Sequence, residues 1–470
     1  MTAEPRRRGG LLLALLGLAQ LITSIDYNIV YVALPRIGAD LGFSAQNLQW
    51  VVSAYAVAFG GFLLLGGRAA DLVGRRRVFV AGLALYALAS FAGGLAGTQG
   101  LLVAARAVQG LSGALLFPAT LSLVVTSFEE GRERNRAFSV WAAAGAGGMV
   151  LGSLLGGVLT EAFGWAAVFY VNVPLAAVAI AGAALLLPAD GPRATGRFDV
   201  AGALTATAGV TLVVFTLVQG PVRGWTSPAL LATAAGGIVL LAAFVTIEAR
   251  TSSPLMPLRL YRNRNLSTGV PLTLLFMATF GTLLYFLTVH FQHVLGYSAL
   301  QTGLAYVVPM AAGAVGSLLG GRLAYRHGNR ATLVTSLLVG GAAAVGLGLG
   351  IGAAHSYLAL LPAMVVLNVA QGVIFTTMFA AATTGTALFD QGIASGIVST
   401  GQQVGSAVGL AALVAVANAG GGSAGLRDAT LAAAAGIFLT VLVALNFRRA
   451  AAPATEGEGE LVTRVSKVSG

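Results

Sequence analysis

The chain has 470 residues, of which 57% are hydrophobic and 9% are charged, and its formal net charge at pH 7 is +11. A soluble domain carries about a quarter of its residues as charged ones, so this composition excludes a soluble protein. The absence of cysteine excludes disulfides, thiol catalysis and thiolate metal sites, and the four His have no ligand spacing, so we expect no metal site. The basic residues lie in short loops between apolar runs, which predicts contact with anionic lipid headgroups and no nucleic-acid partner.

Fourteen apolar runs are long enough to cross a bilayer, since a helix needs about 20 apolar residues to do so. Helices are the only spanning solution for runs this continuous, so the predicted fold class is an all-α polytopic membrane protein. The first run follows Arg6-Arg7-Arg8 like a signal peptide, but it continues to about Val32 without a clear cleavage site, and we interpret it as span 1. The predicted spans are 11–33, 47–66, 77–97, 100–127, 135–160, 166–187, 199–219, 229–247, 266–290, 299–320, 331–351, 356–382, 391–418 and 428–447.

The positive charges fall almost entirely on one side of these spans. All but four of the 27 Lys and Arg lie there; Arg36, Arg223 and Arg427 lie on the other side, and Arg106 lies inside span 4. Lys and Arg accumulate on the cytoplasmic side of membrane proteins, so both termini are predicted to be cytoplasmic. The arginine-rich side is called the basic face below, and the other side the opposite face.

An internal repeat divides the chain. Residues 67–76, GRAADLVGRR, recur as residues 321–330, GRLAYRHGNR, with Tyr325 in the place of Asp71. The first copy follows span 2 and the second follows span 10, so the repeat is eight spans long, which two six-span bundles with two extra spans between them would give. Such parallel repeats are typical of transporters. The predicted units are a cytoplasmic N-terminus (1–10), a six-span bundle (11–187), two linker spans with their loops (188–265), a second six-span bundle (266–447) and a disordered cytoplasmic tail (448–470).

Five further segments occur in an order known from one protein family. They are DYNIVYVALP at 26–35 in span 1, RAVQG at 106–110 in span 4, GMVLGSLLGG at 148–157 in span 5, the stretch 254–264 before span 9, and 395–405 in span 13. With the repeat, they make the whole chain similar to the fourteen-span drug:proton antiporter branch of the major facilitator superfamily. Two positions depart from that pattern: Ser153 replaces a usual Pro, which softens the bend expected in span 5, and Ala166 follows Trp165 where an Arg is common.

The resemblance implies roles for two glycine-containing segments. The loop after span 2 would be a conformational latch between the bundles, formed by Gly67, Arg68, Asp71, Gly74, Arg75 and Arg76. Its chemistry is consistent with that role, because carboxylates are stabilised by helix N-termini and Arg partners, and glycine permits a tight turn; topology control with turn chemistry is the alternative. The antiporter motif of span 5 would be the sliding contact between bundles, beyond simple close packing, and contains Gly148, Gly152, Gly156 and Gly157.

Two ionisable residues lie deep within spans, where a charge costs several kcal/mol and indicates function. Asp26 is seven residues from the predicted outer end of span 1, about 10 Å deep, and Arg106 is six residues into span 4, about 9 Å deep. The hypothesis is that Asp26 carries the proton and Arg106 tunes it; a permanent ion pair locking spans 1 and 4 is the alternative. His290 and His293, at the outer end of span 9, either assist proton entry or sit in the interface.

Polar amides and aromatic rings within spans are the candidates for a substrate cavity. Each could instead form a helix–helix hydrogen bond or pack against its neighbours. With one deep carboxylate, we expect a neutral or monovalent cationic substrate. The candidates are Gln20, Asn28, Gln109, Trp141, Phe276, Phe280, Gln371, Phe375, Gln402 and Gln403.

The predicted function is proton-driven efflux of a hydrophobic or amphiphilic drug across a bacterial cytoplasmic membrane. An uptake permease is the alternative, and the antiporter motif of span 5 disfavours it. A sensor would need a fused soluble domain, and an enzyme would need a catalytic cluster within the spans; the sequence shows neither. It shows no nucleotide-binding domain, so we expect no cofactor, the proton gradient as energy source, and a monomer. The Gly, Ala and Arg content with a single Lys, Lys467, is typical of a GC-rich bacterial genome.

Overall fold

The computed structural model describes residues 3–129, 132–190, 199–252, 254–353, 356–387 and 390–447. Within these ranges the chain has no β-strand, and 14 helices are long and apolar enough to span a membrane. Each overlaps one predicted span, so the all-α polytopic fold is confirmed. Their bounds, for spans 1 to 14, are Gly9–Leu41, Ala45–Val73, Arg75–Gly94, Gln99–Ser127, Arg136–Phe163, Ala167–Leu186, Val200–Arg223, Pro228–Arg250, Arg264–Val294, Ala299–His327, Asn329–Gly352, Tyr357–Thr383, Gln391–Gly420 and Gly422–Ala444. The predicted disordered tail, 448–470, lies outside the described residues.

The predicted end of span 1 is wrong by two helical turns. The helix continues past residue 33 to Leu41, with Pro35 inside it. Arg36, which was placed on the opposite face beyond span 1, forms an exposed (i, i+4) ion pair with Asp40 along the last turns of the helix, with Nε 3.2 Å from Oδ2. Asp26 therefore lies 15 residues, about 22 Å, from the end of its helix.

Helix packing repeats with the eight-span offset of the sequence. In the first bundle, span 2 packs on span 4, span 1 on span 5, and span 3 on spans 4 and 6. In the second, span 10 packs on span 12, span 9 on span 13, and span 11 on spans 12 and 14. The linker spans are an antiparallel pair, and span 7 lies over the seam where span 2 meets span 13. Equivalent helices therefore occupy equivalent places in the two bundles.

The two bundles meet most closely at the opposite face. There the Gln292 side-chain amide donates to the Val32 carbonyl at 2.9 Å, and Glu161 accepts from the Leu300 backbone N–H at 3.5 Å. Within the described residues, every side-chain hydrogen bond that joins the two bundles lies in this half or near mid-depth. An apolar cluster there contains residues of both bundles, including Val32 and Phe291, whereas a cluster at the basic face of the first bundle contains residues of that bundle alone. The structure is thus closed at the opposite face.

Candidate functional site

Asp26 and Arg106 form the centre of the site. Arg106 Nη1 lies 2.6 Å from Asp26 Oδ2, and the two side chains are 2% and 0% exposed. The sequence placed them at matching depth on spans 1 and 4, and the structure brings them into contact. Breaking such a pair leaves an uncompensated buried charge, so the contact strongly couples the two helices.

The guanidinium of Arg106 has three further partners. Its Nε donates to the Val51 carbonyl at 2.8 Å, and its Nη1 donates to Gln109 Oε1 at 2.9 Å. Its Cζ lies 4.5 Å from the ring centroid of Tyr55, a cation–π distance. Because an arginine cannot lose its proton in a protein, these contacts satisfy a charge that is always present.

The carboxylate of Asp26 is held by two amides as well. Its Oδ1 accepts from Asn172 Nδ2 at 3.0 Å and from Gln109 Nε2 at 3.4 Å. Gln109 Nε2 also donates to Ser90 Oγ at 2.7 Å. Sequence reasoning missed Asn172 as a partner, quoting it only within a family motif, and did not single out Ser90. The signal available was a polar side chain near the start of span 6 and another inside the apolar span 3.

Gln109 was predicted to line the substrate cavity, and this is wrong. The side chain is fully buried, and both of its amide atoms are used by the Asp26–Arg106 site. The physical reason is its spacing: three residues after Arg106, it lies on the same helix face. The site therefore joins spans 1, 2, 3, 4 and 6, all in the first bundle.

Chemically, the carboxyl group of Asp26 is paired with a guanidinium and accepts hydrogen bonds from two amides. Loss of this pairing would leave a buried guanidinium without its counter-ion. Among the described residues, no group of three or more His, Cys, Asp or Glu could hold a metal ion. That Asp26 carries a proton stays a prediction.

Three other predicted cavity residues are packed rather than open. Phe276 and Phe280 are 1% and 3% exposed in the core of the second bundle, with ring centroids 5.2 Å apart, so the prediction that they line a cavity is wrong. Asn28 is also buried, and its Nδ2 donates to the Met149 carbonyl at 2.9 Å and to Met310 Sδ at 3.7 Å. It links span 1 to span 5 and to the second bundle.

The remaining predicted cavity residues stay candidates, because each is partly or largely exposed within its helix. Trp141 packs edge-on against Phe117 with centroids 5.6 Å apart, which provides an aromatic surface. The residues that stay candidates for the cavity are Gln20, Trp141, Gln371, Phe375, Gln402 and Gln403.

Span 9 is irregular where the two histidines lie. Residues 290–294 form a turn of π-helix, and His290 is fully buried beside Phe291, with ring centroids 6.2 Å apart. His293 is exposed. The alternative in which His290 sits in the membrane interface is therefore wrong, and a role of the histidines in proton entry stays a prediction.

Most of the glycine motif of span 5 faces its own bundle. A Cβ on Gly148, Gly152 or Gly156 would lie 2.7, 2.5 or 2.8 Å from atoms of span 1. Only Gly157 meets the second bundle, where a Cβ would lie 2.7 Å from the Ala299 carbonyl oxygen. Residues four apart share one helix face, and the next residue is turned by about 100°. The motif is therefore mainly a seal between spans 5 and 1, and the predicted sliding contact is wrong for three of its glycines.

Ser153 takes part in the contact between bundles. It is fully buried, its Oγ lies 3.3 Å from Met310 Sδ, and its carbonyl oxygen faces Gly303 of span 10. The position at which the chain departs from the family pattern thus lies on the seam with the second bundle.

The loop after span 2 is organised by a carboxylate that sequence reasoning missed. Asp190, in the segment that follows span 6, accepts the backbone N–H groups of Arg76 at 2.9 Å and Arg77 at 3.1 Å. These are the free N–H groups at the start of span 3, where an anion is favoured. Gly74 has φ +116°, and a Cβ there would lie 2.4 Å from Asp190 Cγ. Only glycine fits between this turn and the carboxylate.

Asp71, expected to provide that carboxylate, is exposed and forms no ion pair within the described part of the chain. Arg76 also donates to the Ala184 carbonyl at 3.1 Å, so its contacts stay within the first bundle. Gly67, Arg68 and Arg75 are partly exposed. A latch between bundles would form when the basic face closes, and it stays a prediction.

Comparison with known proteins supports the architecture. The Major Facilitator Superfamily model matches residues 16–410 and again 269–464. The chain is 40% identical over 410 residues to a cephamycin export protein of Amycolatopsis lactamdurans, covering 86% of this chain and 84% of that protein. It is 40% identical over 425 residues to a puromycin resistance protein of Streptomyces alboniger, covering 87% of this chain and 82% of that protein. The crystal structure of the POT family transporter PepTSo has the same fold, with a TM-score of 0.69 at 15% identity and 99% coverage of both chains. The chain belongs to the Major Facilitator Superfamily.

Proposed function

We propose that the protein exports a hydrophobic or amphiphilic antibiotic-type compound from the cytoplasm in exchange for protons. The family and the names of the relatives support export. Proton coupling is supported by one observation above all: a single carboxyl group, Asp26, is buried with Arg106 at the centre of a site formed by spans 1, 2, 3, 4 and 6. The energy source would be the proton gradient, with no cofactor and with a monomer as the working unit.

The basic face would be cytoplasmic, with both termini on that side. The structure is closed at the opposite face, so this state would receive substrate from the cytoplasm or the inner leaflet. The partly exposed residues Gln20, Trp141, Gln371, Phe375, Gln402 and Gln403 would contact it. The Asp26 side chain is fully paired here, and we assign this arrangement to the state that follows release of a proton toward the cytoplasm.

Alternating access would then couple the acid to the bundles. When the opposite face opens, water reaches Asp26, and a proton from outside neutralises it. Arg106 keeps the Val51 carbonyl and Gln109 but loses its counter-ion. A buried pair broken in this way changes the energy of packing by several kcal/mol, so the two protonation states favour different arrangements of the helices.

The test is export from a host that lacks its own efflux pumps. Puromycin and cephamycin, named in the relatives, serve as probes with and without an uncoupler. We expect an uncoupler to stop export, and Asp26→Asn to abolish it while the protein stays in the membrane. Asp40→Asn, an exposed acid on the same helix, is the matched control and should export normally. Normal export by Asp26→Asn, or export that survives collapse of the gradient, would contradict the proposal.

A further inference from the structure

Two acids outside the Asp26 site meet at the basic face. Asp199 immediately precedes span 7, and Glu248 lies in the last turn of span 8, the antiparallel partner of span 7. They are 7% and 3% exposed. Acids this buried are normally paired with a cation, but neither forms a salt bridge with a described residue.

In each acid, one carboxylate oxygen accepts a backbone hydrogen bond and the other does not. Asp199 Oδ1 accepts the Gly202 backbone N–H at 2.8 Å, and Glu248 Oε2 accepts the Met256 backbone N–H at 2.8 Å. The second oxygens, Asp199 Oδ2 and Glu248 Oε1, are buried and have no hydrogen-bond donor in the described part of the chain.

The two unpaired oxygens face the same small space. A Cβ built on Gly202 would lie 2.6 Å from Asp199 Oδ2 and 3.0 Å from Glu248 Oε1. Because Gly202 has no side chain, the two carboxyl groups face one space within the described part of the chain. Two ionised carboxylates in such a place repel each other, whereas one proton shared between them satisfies both oxygens.

We propose that Asp199 and Glu248 bind one proton between them, forming a carboxyl–carboxylate pair that joins the inner ends of the two linker spans. The site is separate from the Asp26 site, which lies wholly in the first bundle. Of the charged groups in the described residues, only Asp199 acts electrostatically on Glu248. The charged residues on the neighbouring elements are Arg68 and Asp71 on span 2, Arg250 on span 8, Arg259 after it and Asp390 at the start of span 13.

The carboxyl pair lies next to the contact between the linker spans and the second bundle, so its proton affects that contact. Glu248 accepts the backbone N–H of Met256, and the turn Leu258–Arg262 follows. Arg259 in this turn binds Asp390, which immediately precedes span 13, with Nη1 and Nη2 donating at 2.7 and 2.8 Å. The hydrogen bond to Asp390 raises the pKa of Arg259, so this tie persists at high pH. The carboxyl pair is thus the pH-sensitive element in the joint between the linker spans and the second bundle. Loss of its proton would place two like charges there and loosen the joint.

The test uses the purified full-length protein in detergent without substrate, comparing the wild type with Glu248→Gln and Asp199→Asn. We expect an infrared band of a protonated carboxyl in the wild type near neutral pH, and its loss in both variants. The stability of the wild type should be full while the shared proton is bound and should fall as rising pH removes it. Glu248→Gln, which cannot form two adjacent charges, should lack that fall. Asp40→Asn, at an exposed acid, should retain both properties.

Two results would overturn the proposal. One is the same carboxyl band and the same pH profile in the wild type and in both variants. The other is stabilisation by Na⁺, K⁺ or Mg²⁺ of the wild type alone, which would show a cation in place of the proton. If one variant does not fold, the other carries the comparison. No substrate or gradient is involved, so failure here leaves the proposed export function untouched, and the reverse also holds.

Discussion

The Asp26–Arg106 pair predicts unequal costs for removing its two partners. Asp26→Asn preserves shape but leaves a guanidinium buried at 2% exposure without an anion. Since arginine cannot deprotonate, the charge stays, and only the Val51 carbonyl, Gln109 and the Tyr55 ring remain to compensate it. Breaking a buried pair in this way costs about 3–5 kcal/mol of stability, at any pH between 5 and 9.

Arg106→Gln should cost less and should respond to pH. The acid left behind keeps the Asn172 donor and can take up a proton instead of remaining charged. We expect a loss of about 1–3 kcal/mol near neutral pH, typical of an unsatisfied buried polar group. The sign follows from protonation: as pH falls, the unpaired carboxylate is neutralised and stability recovers.

The double variant completes the cycle. With both charges gone, neither is left unpaired, and replacing both partners of a buried pair is often close to neutral. Asp26→Asn/Arg106→Gln should therefore be more stable than Asp26→Asn alone, by about 2 kcal/mol or more. The exposed pair Arg36–Asp40 is the control cycle, for which we expect a coupling below about 1 kcal/mol.

Unfolding of the purified protein in detergent, followed by tryptophan fluorescence at several pH values, measures all of these quantities. Equal costs for the two single variants, with no response to pH, would refute the reasoning. So would a double variant whose cost equals the sum of the two single ones, because strictly additive costs mean that the side chains do not interact.

Three further predictions concern close approaches of the backbone. Gly74→Ala should destabilise the protein in thermal unfolding, because its φ of +116° and the nearby Asp190 leave no room for a Cβ; unchanged stability would contradict the geometry. Asp190→Asn should lower the unfolding temperature more than Asp71→Asn, since Asp190 holds the start of span 3 and Asp71 is exposed; the reverse order would favour the original prediction. Gly152→Ala should reduce both stability and export, because its Cβ would lie 2.5 Å from the Ile25 carbonyl oxygen, whereas Gly147→Ala, with nothing within 4 Å, should reduce neither.

The spans and the site's central pair could be predicted because they depend on local properties. An apolar run of sufficient length is visible in the sequence itself, and so are the charges that interrupt it. The presence of Asp26 and Arg106 within spans 1 and 4 follows from the same apolar runs. The depth of Asp26 was underestimated, because span 1 was ended at residue 33 and the helix continues past the Arg36–Asp40 pair to Leu41.

The partners within the site could not be predicted, because tertiary packing selects them. Asn172 lies 146 residues from Asp26, and nothing local distinguishes it from other intramembrane amides. The family resemblance favoured Asp71 for the loop, but Asp190, 114 residues from Arg76, reaches the helix N-terminus. The sequence shows that span 5 has a glycine face but not which helix packs against it. That face was therefore assigned to the contact between bundles, whereas three of its glycines contact span 1.

The central claim, that Asp26 carries the exchanged proton, is tested most directly by proton movement in proteoliposomes. The lumen contains a pH-sensitive dye, and puromycin is imposed as an outward or inward gradient without any initial pH difference. We predict that the wild type moves protons against the puromycin flux, and that Asp26→Asn moves none while still exchanging labelled for unlabelled puromycin. Proton movement of wild-type size in Asp26→Asn would contradict the account.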